Sequence, residues 1–169
     1  MEDWGKEMSI RNIRTLSLNP HFYALLLCSF MSGYERKCEI KTLYMALPIL
    51  MNSDSREKLL HANKSSKFST LFGEKYTVSG ENISGKSRLS GYIDSYHFYN
   101  RYCSDAIIIL SSEEKIEFRN KYAILLQNVS YKNYTGVAKD FLRCAYYLGK
   151  IFASSSVDEI SFYLGVECQ

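Results

Sequence analysis

The sequence has little proline and few cysteines, and it lacks long hydrophobic runs. It contains two prolines and five cysteines in 169 residues. No two cysteines are spaced as CxxC or CxxxC, and their odd count favours free thiols in a reducing compartment. No apolar run approaches the length of about 18 residues that a membrane span needs. Residues 1–12 are charged and carry no apolar segment of the kind found in secretory signals. We therefore expect a cytoplasmic protein without membrane contact.

The patterns of common catalytic and metal sites are also missing. The chain has three histidines, far apart from one another: His21, His61 and His97. None lies in an HxxxH or HExxH pattern, so a zinc site is not expected. There is no GxSxG sequence of the kind that carries a nucleophilic serine. The sequence predicts no catalytic residue, no cofactor and no metal.

One string does match a catalytic pattern. Residues 80–87, GENISGKS, satisfy the P-loop pattern GxxxxGK[ST]. In a P-loop the backbone amides hold phosphates, the lysine reaches the terminal oxygens and the last residue binds Mg²⁺. Here no long buried strand precedes the string, Gly91 interrupts the helix that should follow, and no apolar strand ends in a carboxylate. We interpret the motif residues as a chance match in a basic loop: Gly80, Gly85, Lys86 and Ser87.

The overall composition is that of one globular domain covering residues 1–169. About half of the residues are hydrophobic and 23% are charged, which is ordinary for a globular protein with a core. The net charge of +3 is too small to indicate nucleic-acid binding by the whole chain. Fourteen tyrosines are compatible with a protein interface, where tyrosine is enriched, and equally with a biased base composition.

The first third of the chain predicts an N-terminal arm at residues 1–18 and a group of helices at 19–64. Asn19 and Pro20 suit the start of a helix, which runs to about Gly33 and is apolar on all sides, as a central buried helix would be. A second apolar segment, 42–51, contains Pro48, which should kink or end a helix there. Asp54 and the acidic residue three positions later form a capping box for a short helix ending near residue 61.

The middle of the chain predicts a loop region and a β-hairpin wing. Residues 65–91 are a basic Ser/Gly loop region with a short helix near 68–72. Residues 92–126 predict a helix followed by a β-hairpin that turns at 119–120. A hairpin between helices is typical of a winged-helix-like helical domain. The basic residues of the loop and the wing are candidate contacts to DNA or to a protein partner: Lys86, Arg88, Lys115, Arg119 and Lys121.

The last segment, 134–166, predicts a C-terminal helical hairpin. The two helices are separated by a serine run, Ser156 can cap the second helix, and Gly165 can end it. Three small residues lie four apart on the first helix: Ala145, Gly149 and Ala153. This spacing lets another backbone approach closely, either as tight core packing or as part of an interface. The predicted fold class is mainly α with a small β-hairpin (α+β).

Several apolar motifs together resemble the middle components of bacterial three-component ABC systems. Asn19-Pro20 with residues 24–27, 30 and 33–34 resembles the beginning of that family. Residues 47–51, LPILM, are similar to its Leu-Pro-leucine-rich segment, and residues 148–153 followed by 160–166 are similar to its ending. The motifs occur in the family's order and span nearly the whole chain, except residues 65–88. The group includes the middle components LmuC and DdmB of Lamassu-type systems.

This resemblance implies an accessory subunit without catalytic residues. Such subunits accompany an SMC/Rad50-like coiled-coil ATPase and an effector, commonly a nuclease, in antiphage or antiplasmid defence. The resemblance implies docking on the ATPase and restraint or positioning of the effector until foreign DNA is sensed, with double-stranded DNA reached through the complex. Two alternatives remain from the residues themselves. They are a winged-helix DNA-binding protein and a small P-loop enzyme that uses Lys86.

Overall fold

A computed structural model describes residues 19–73, 75–78, 81–84 and 89–166. The predicted arm at 1–18 lies outside these residues. The described helices are α1 Pro20–Gly33, α2 Ile40–Met51, α3 Ser53–Leu60, α4 Phe68–Phe72, α5 Tyr92–Ser112, α6 Gly136–Ala153 and α7 Val157–Leu164. The described strands are β1 Lys37–Glu39, β2 Lys75–Val78, β3 Glu81–Ser84, β4 Ile116–Arg119 and β5 Tyr122–Leu125, and a short 3-10 helix covers Tyr131–Asn133. The predicted α+β fold class, mainly helical with a small β-hairpin, is confirmed.

Helix α1 is the centre of the core, as its all-round apolar sequence predicts. The Asn19 side chain accepts a hydrogen bond from the His21 amide at 2.9 Å, and Pro20 occupies the first turn, where its missing N–H has no cost. Ten of the fourteen α1 residues are buried. The Tyr23 ring meets the rings of Tyr99 and Tyr102 of α5 edge-on, with centroids 6.1 and 5.8 Å apart. The Phe22 ring likewise meets the Phe141 ring of α6 edge-on, with centroids 5.4 Å apart, so both α5 and α6 pack on α1.

The contact between α1 and α6 is a close backbone approach. A Cβ atom placed on Gly33 would overlap the Tyr146 carbonyl oxygen, and one placed on Gly149 would overlap the Phe30 carbonyl oxygen. The buried Ser29 hydroxyl donates to the Leu142 carbonyl oxygen at 2.7 Å in the same contact. Each helix thus has a glycine at the point where the backbone of the other helix packs against it.

Helix α2 does not end at its proline. Pro48 lies inside α2, which continues to Met51, so the alternative in which the proline ends the helix is wrong. Proline removes the amide that would bond to the carbonyl four residues earlier. Pro48 and its neighbours in α2 are buried, and tertiary packing outweighs that loss. The capping prediction nearby also needs correction. Helix α3 begins one residue before Asp54, at Ser53, and its cap is Asn52, whose side chain accepts from the Ser55 amide at 2.9 Å.

The predicted hairpin is part of a three-stranded antiparallel sheet. Strands β4 and β5 pair as predicted, with Asn120 in the turn at φ 54°. The additional strand β1 pairs with β5, so the strand order is β1-β5-β4. Strand β1 has only three residues, Lys-Cys-Glu, too short to show an alternating pattern. The sheet joins the α1–α2 connection to the hairpin that follows α5.

The predicted loop region contains a second hairpin. Helix α4 occurs where expected, but β2 and β3 then pair antiparallel, with Lys75 opposite Ser84 and Val78 opposite Glu81. The prediction of a loop throughout this segment is therefore wrong for residues 75–78 and 81–84. Its many polar residues and glycines obscured the two short strands.

The C-terminal segment contains the two predicted helices. Ser156 accepts a hydrogen bond from the Glu159 amide at 3.1 Å, and Gly165 ends α7 at φ 69°, so both end signals are confirmed. The Phe68 ring of α4 contacts Phe152 of α6 and Tyr163 of α7, with centroids 5.8 and 5.7 Å away. Helix α4 thus links the two C-terminal helices through aromatic contacts.

Candidate functional site

The basic residues of the predicted wing are each paired with a carboxylate. The pairs are Lys115 with Glu113 at 2.6 Å, Arg119 with Glu117 at 2.8 Å and Lys121 with Glu39 at 3.1 Å. The hydrogen bond to Glu113 raises the pKa of Lys115, and the one to Glu39 raises the pKa of Lys121. Exposed pairs of this kind add little stability. The pairs instead reduce the positive charge at the surface of the wing, because each carboxylate neutralises a basic side chain that could otherwise bind a DNA phosphate.

The basic loop and the P-loop-like string fall largely outside the described residues. This applies to Gly80 and to residues 85–88, that is Gly85, Lys86, Ser87 and Arg88. The four residues between the two motif glycines, Glu81–Ser84, form strand β3. A P-loop instead wraps these positions around a phosphate so that their amides point inward. The paired strand supports interpreting the string as a chance match.

The small residues of α6 have different surroundings. Ala145 and Gly149 are buried, and Gly149 faces the α1 backbone, whereas Ala153 is exposed at the end of the helix. Ala153 therefore does not extend the buried contact. The position of Gly149 within the core accounts for its small size without an external partner.

One surface feature is a mainly apolar cavity between the start of α5 and helix α7. It has a volume of about 360 Å³ and is lined by Leu89, residues 91–94 and residues 162–165. The Phe162 side chain is 78% exposed and Ile93 is 40% exposed. A hydrophobic cavity with an exposed aromatic side chain at its margin is a common form of protein-interaction site. The sequence pattern of α7 indicates that Phe162 is exposed. Ile160 and Leu164 form the buried stripe of the helix, and Phe162 lies off that stripe.

A second, smaller cavity lies near the N-terminal half of α6. It has a volume of about 210 Å³ and is lined by Arg56, Leu60, Val137, Asp140, Phe141 and Cys144. The Arg56 guanidinium stacks over the Phe141 ring at 4.4 Å and donates to the Leu50 carbonyl oxygen at 2.9 Å. Burial lowers the pKa of Arg56. Because the stacked guanidinium is held by the backbone of α2, this cavity is mainly a structural junction.

The buried cysteines are poor nucleophiles. Burial raises the pKa of Cys28 to about 11 and the pKa values of Cys38 and Cys144 to about 12, and it also raises that of Cys103. A thiol must lose its proton to attack or to bind a metal. Within the described ranges, no three His, Cys, Asp or Glu side chains form a metal-binding group, and no buried side-chain nitrogen or oxygen lacks a hydrogen-bond partner.

No helix within the part of the chain that the structure describes has both the length and the apolar character required to cross a bilayer.

The described surface is distinguished by exposed apolar side chains at a cavity and on α5. Its wing charges are neutralised in pairs. Exposed apolar side chains beside a cavity are frequent at sites of protein interaction.

Comparison with known families identifies the class of protein to which the chain belongs. The family model for the ABC-three component (ABC-3C) system Middle Component 3 matches residues 8–168, nearly the entire 169-residue chain. The chain belongs to this family and is an accessory middle component of a three-component ABC system. No curated protein and no solved structure matches the chain significantly.

Proposed function

We propose that this chain is a non-catalytic subunit that docks on an SMC/Rad50-like coiled-coil ATPase in a cytoplasmic, Lamassu-type antiphage or antiplasmid complex. There it restrains or positions a nuclease effector until foreign DNA is sensed. The observation that carries the proposal is the family match over residues 8–168. A middle component of a three-component system works with protein partners, and the resemblance of the apolar motifs to LmuC and DdmB supports the identity of those partners.

The surface that we propose for ATPase docking is the cavity between α5 and α7. Phe162 and Ile93 are exposed at its margin, and aromatic side chains beside a cavity are frequent binding hot spots. Asp94 lies in the lining, so a partner helix with apolar side chains and a basic residue would be complementary in both respects. The cavity volume of about 360 Å³ suits one or two large apolar side chains of that helix.

The order of the elements favours a second candidate, a winged-helix DNA-binding role. Strand β1 lies between α1 and α2, a long helix precedes the β4–β5 hairpin, and β1 pairs with β5, so we propose a winged-helix-like arrangement. The charges favour protein contact over DNA contact. Every basic wing residue is ion-paired, and the long helix α5 carries two aspartates and one arginine, which gives it no excess of positive charge for DNA.

The docking surface is tested with the purified chain and the ATPase of the same system. Phe162→Asp and Ile93→Asp place a charge at the cavity margin, and we expect each to weaken ATPase binding by at least about tenfold in titration calorimetry. Leu126→Asp is the matched control. This exposed residue follows β5 and bonds to Lys115 beyond the C-terminal end of α5, whereas the cavity lies at the start of α5. The variant should bind as the wild type does. Equal binding by all three variants would place the ATPase contact elsewhere.

A further inference from the structure

The outward face of α5 carries a stripe with heptad spacing. Its positions are Asp94, Phe98, Arg101, Asp105, Ile108 and Ser112, separated by alternating steps of four and three residues. This is the spacing of the contact seam in a two-helix coiled coil. The opposite face of the helix, at Cys103 and Leu110, is buried in the core of the chain. The stripe therefore faces away from the protein's own core along the full length of α5.

The stripe combines apolar exposure with unpaired charge. Phe98 is 56% exposed and Ile108 is 65% exposed, large values for side chains of this size. Arg101 and Asp105 lie between them and form no ion pair with any residue of the described ranges. The charges of the wing differ in this respect, since each has a partner within the chain.

The order of side chains in the stripe is self-complementary. Cys103 lies midway between Phe98 and Ile108, and also midway between Arg101 and Asp105. If a second copy packs antiparallel with its own Cys103 at the same level, Phe98 meets Ile108 of the second copy, and Arg101 meets Asp105 of the second copy. Twofold symmetry repeats each contact. A parallel pair would instead place like charges opposite each other.

We propose that this face of α5 binds a second copy of the chain, forming an antiparallel, twofold-symmetric helix pair. The pair covers the two exposed apolar side chains and gives both charges a partner. Helix α5 is about 30 Å long at 1.5 Å per residue, so a single helix pair buries an area near the lower end for stable interfaces, roughly 1,200 Å² in total. The dimer is therefore reversible and depends on concentration. The proposal does not rest on the ATPase partner proposed above.

The test uses charge exchange in the full-length chain and sedimentation equilibrium over a range of concentrations. The wild-type mass should rise from the monomer value of 19.5 kDa towards twice that value. Arg101→Asp and Asp105→Arg each bring like charges together at both symmetry-related positions, and each should weaken self-association by at least about tenfold. Lys139→Asp, an exposed exchange on α6, is the matched control and should dimerise as the wild type does. Circular dichroism checks that all the variants are folded.

Mixing the two single variants gives the most specific result. In a heterodimer of Arg101→Asp with Asp105→Arg, both cross-pairs again join opposite charges, so the mixture should form a dimer although neither variant does alone. The double variant Arg101→Asp/Asp105→Arg should again form a homodimer. A wild-type chain that stays monomeric at all concentrations overturns the proposal, as does an unrescued mixture or self-association that the single exchanges leave unchanged.

Asp94 belongs to both surfaces, so the two tests change residues that belong to only one: Phe162 and Ile93 for the cavity, Arg101 and Asp105 for the stripe. Arg101 is eight residues from Ile93 along α5, about 12 Å at 1.5 Å per residue, so the charge exchanges leave the cavity margin intact. Loss of ATPase binding in Arg101→Asp, with a monomeric wild-type chain, would assign the stripe to the ATPase and overturn the self-association proposal. Loss of ATPase binding only in the cavity variants would leave the dimer result to stand or fall by itself.

Discussion

Gly33 of α1 and Gly149 of α6 form a reciprocal contact in which each helix occupies the space where the other's side chain would be. A Cβ on Gly33 would overlap the Tyr146 carbonyl oxygen, and a Cβ on Gly149 would overlap the Phe30 carbonyl oxygen and lie 2.9 Å from the Tyr34 amide nitrogen. The obstructing atoms belong to the backbone and cannot rotate away. The crossing of α1 and α6 therefore depends on both glycines.

The substitution Gly149→Ala tests this contact. Alanine favours a helix over glycine by about 1 kcal/mol, but the overlap with a main-chain oxygen should cost more, because the two helices must separate. We expect the free energy of unfolding to fall by at least about 2 kcal/mol in chemical denaturation. Ala153→Ser, at the exposed end of the same helix, should change it by less than about 0.5 kcal/mol. Wild-type stability in Gly149→Ala would show that the helices are farther apart than described.

Tyr92→Phe tests the hydrogen bond that connects the start of α5 to α2. The buried Tyr92 hydroxyl donates to the Met45 carbonyl oxygen at 2.9 Å, and its loss should reduce the free energy of unfolding by about 0.5–1.5 kcal/mol. Tyr44→Phe is the comparison, because the half-buried Tyr44 hydroxyl bonds to Ser104 at 3.0 Å and water can replace that bond. A larger effect for Tyr44→Phe than for Tyr92→Phe would contradict this assignment.

The buried thiols predict a loss of stability at alkaline pH. Burial raises the pKa of Cys38 from 9.0 to about 12, so the unfolded chain releases this proton first as the pH rises. The contribution of Cys38 to stability is complete below pH 9 and declines as the pH approaches 12, with a limiting slope of about 1.4 kcal/mol per pH unit. Between these pH values, Cys38→Ala should lose stability less steeply than the wild type in urea denaturation. Parallel slopes for the two proteins would show that the thiol is accessible to solvent.

The paired wing charges predict weak binding to DNA by the chain alone. Replacing the carboxylate partners, as in Glu39→Gln with Glu117→Gln, frees Lys121 and Arg119 and should raise the affinity for duplex DNA several-fold at low salt, with a steeper salt dependence. Fluorescence anisotropy at several salt concentrations measures both quantities. If the wild-type chain already binds DNA with a steep salt dependence, and Arg119→Ala or Lys121→Ala abolishes the binding, the winged-helix DNA-binding candidate is the better description.

The elements that the sequence predicts well have local signals. Asn19-Pro20 starts α1, Ser156 and Gly165 bound α7, and apolar periodicity marks the helices in between. The features that it misses depend on distant residues. Strand β1 exists because β5, more than 80 positions later, pairs with it. The environment of Pro48 likewise holds α2 together to Met51 against the local preference of proline.

The sequence predicts the candidate surfaces less well than it predicts the fold. The basic residues of the wing are evident in the sequence, but their pairing with carboxylates is not. Glu39, the partner of Lys121, is 82 positions away along the chain and is brought close only by the fold. Phe162 and Ile108 resemble ordinary core residues in composition, and only the packing of α7 and α5 shows that both are exposed. Exposure depends on which helical face meets the core, and tertiary contacts decide that.

The central claim, that this middle component docks on a coiled-coil ATPase, is tested most directly by mixing the two purified proteins. Size-exclusion chromatography with light scattering gives the mass of any complex, and nuclease treatment beforehand removes DNA that could bridge the two. We predict a stable complex that contains this chain in a fixed ratio to the ATPase and that Phe162→Asp disrupts. Separate elution of both folded proteins, at concentrations well above about 1 μM, would contradict the proposed function.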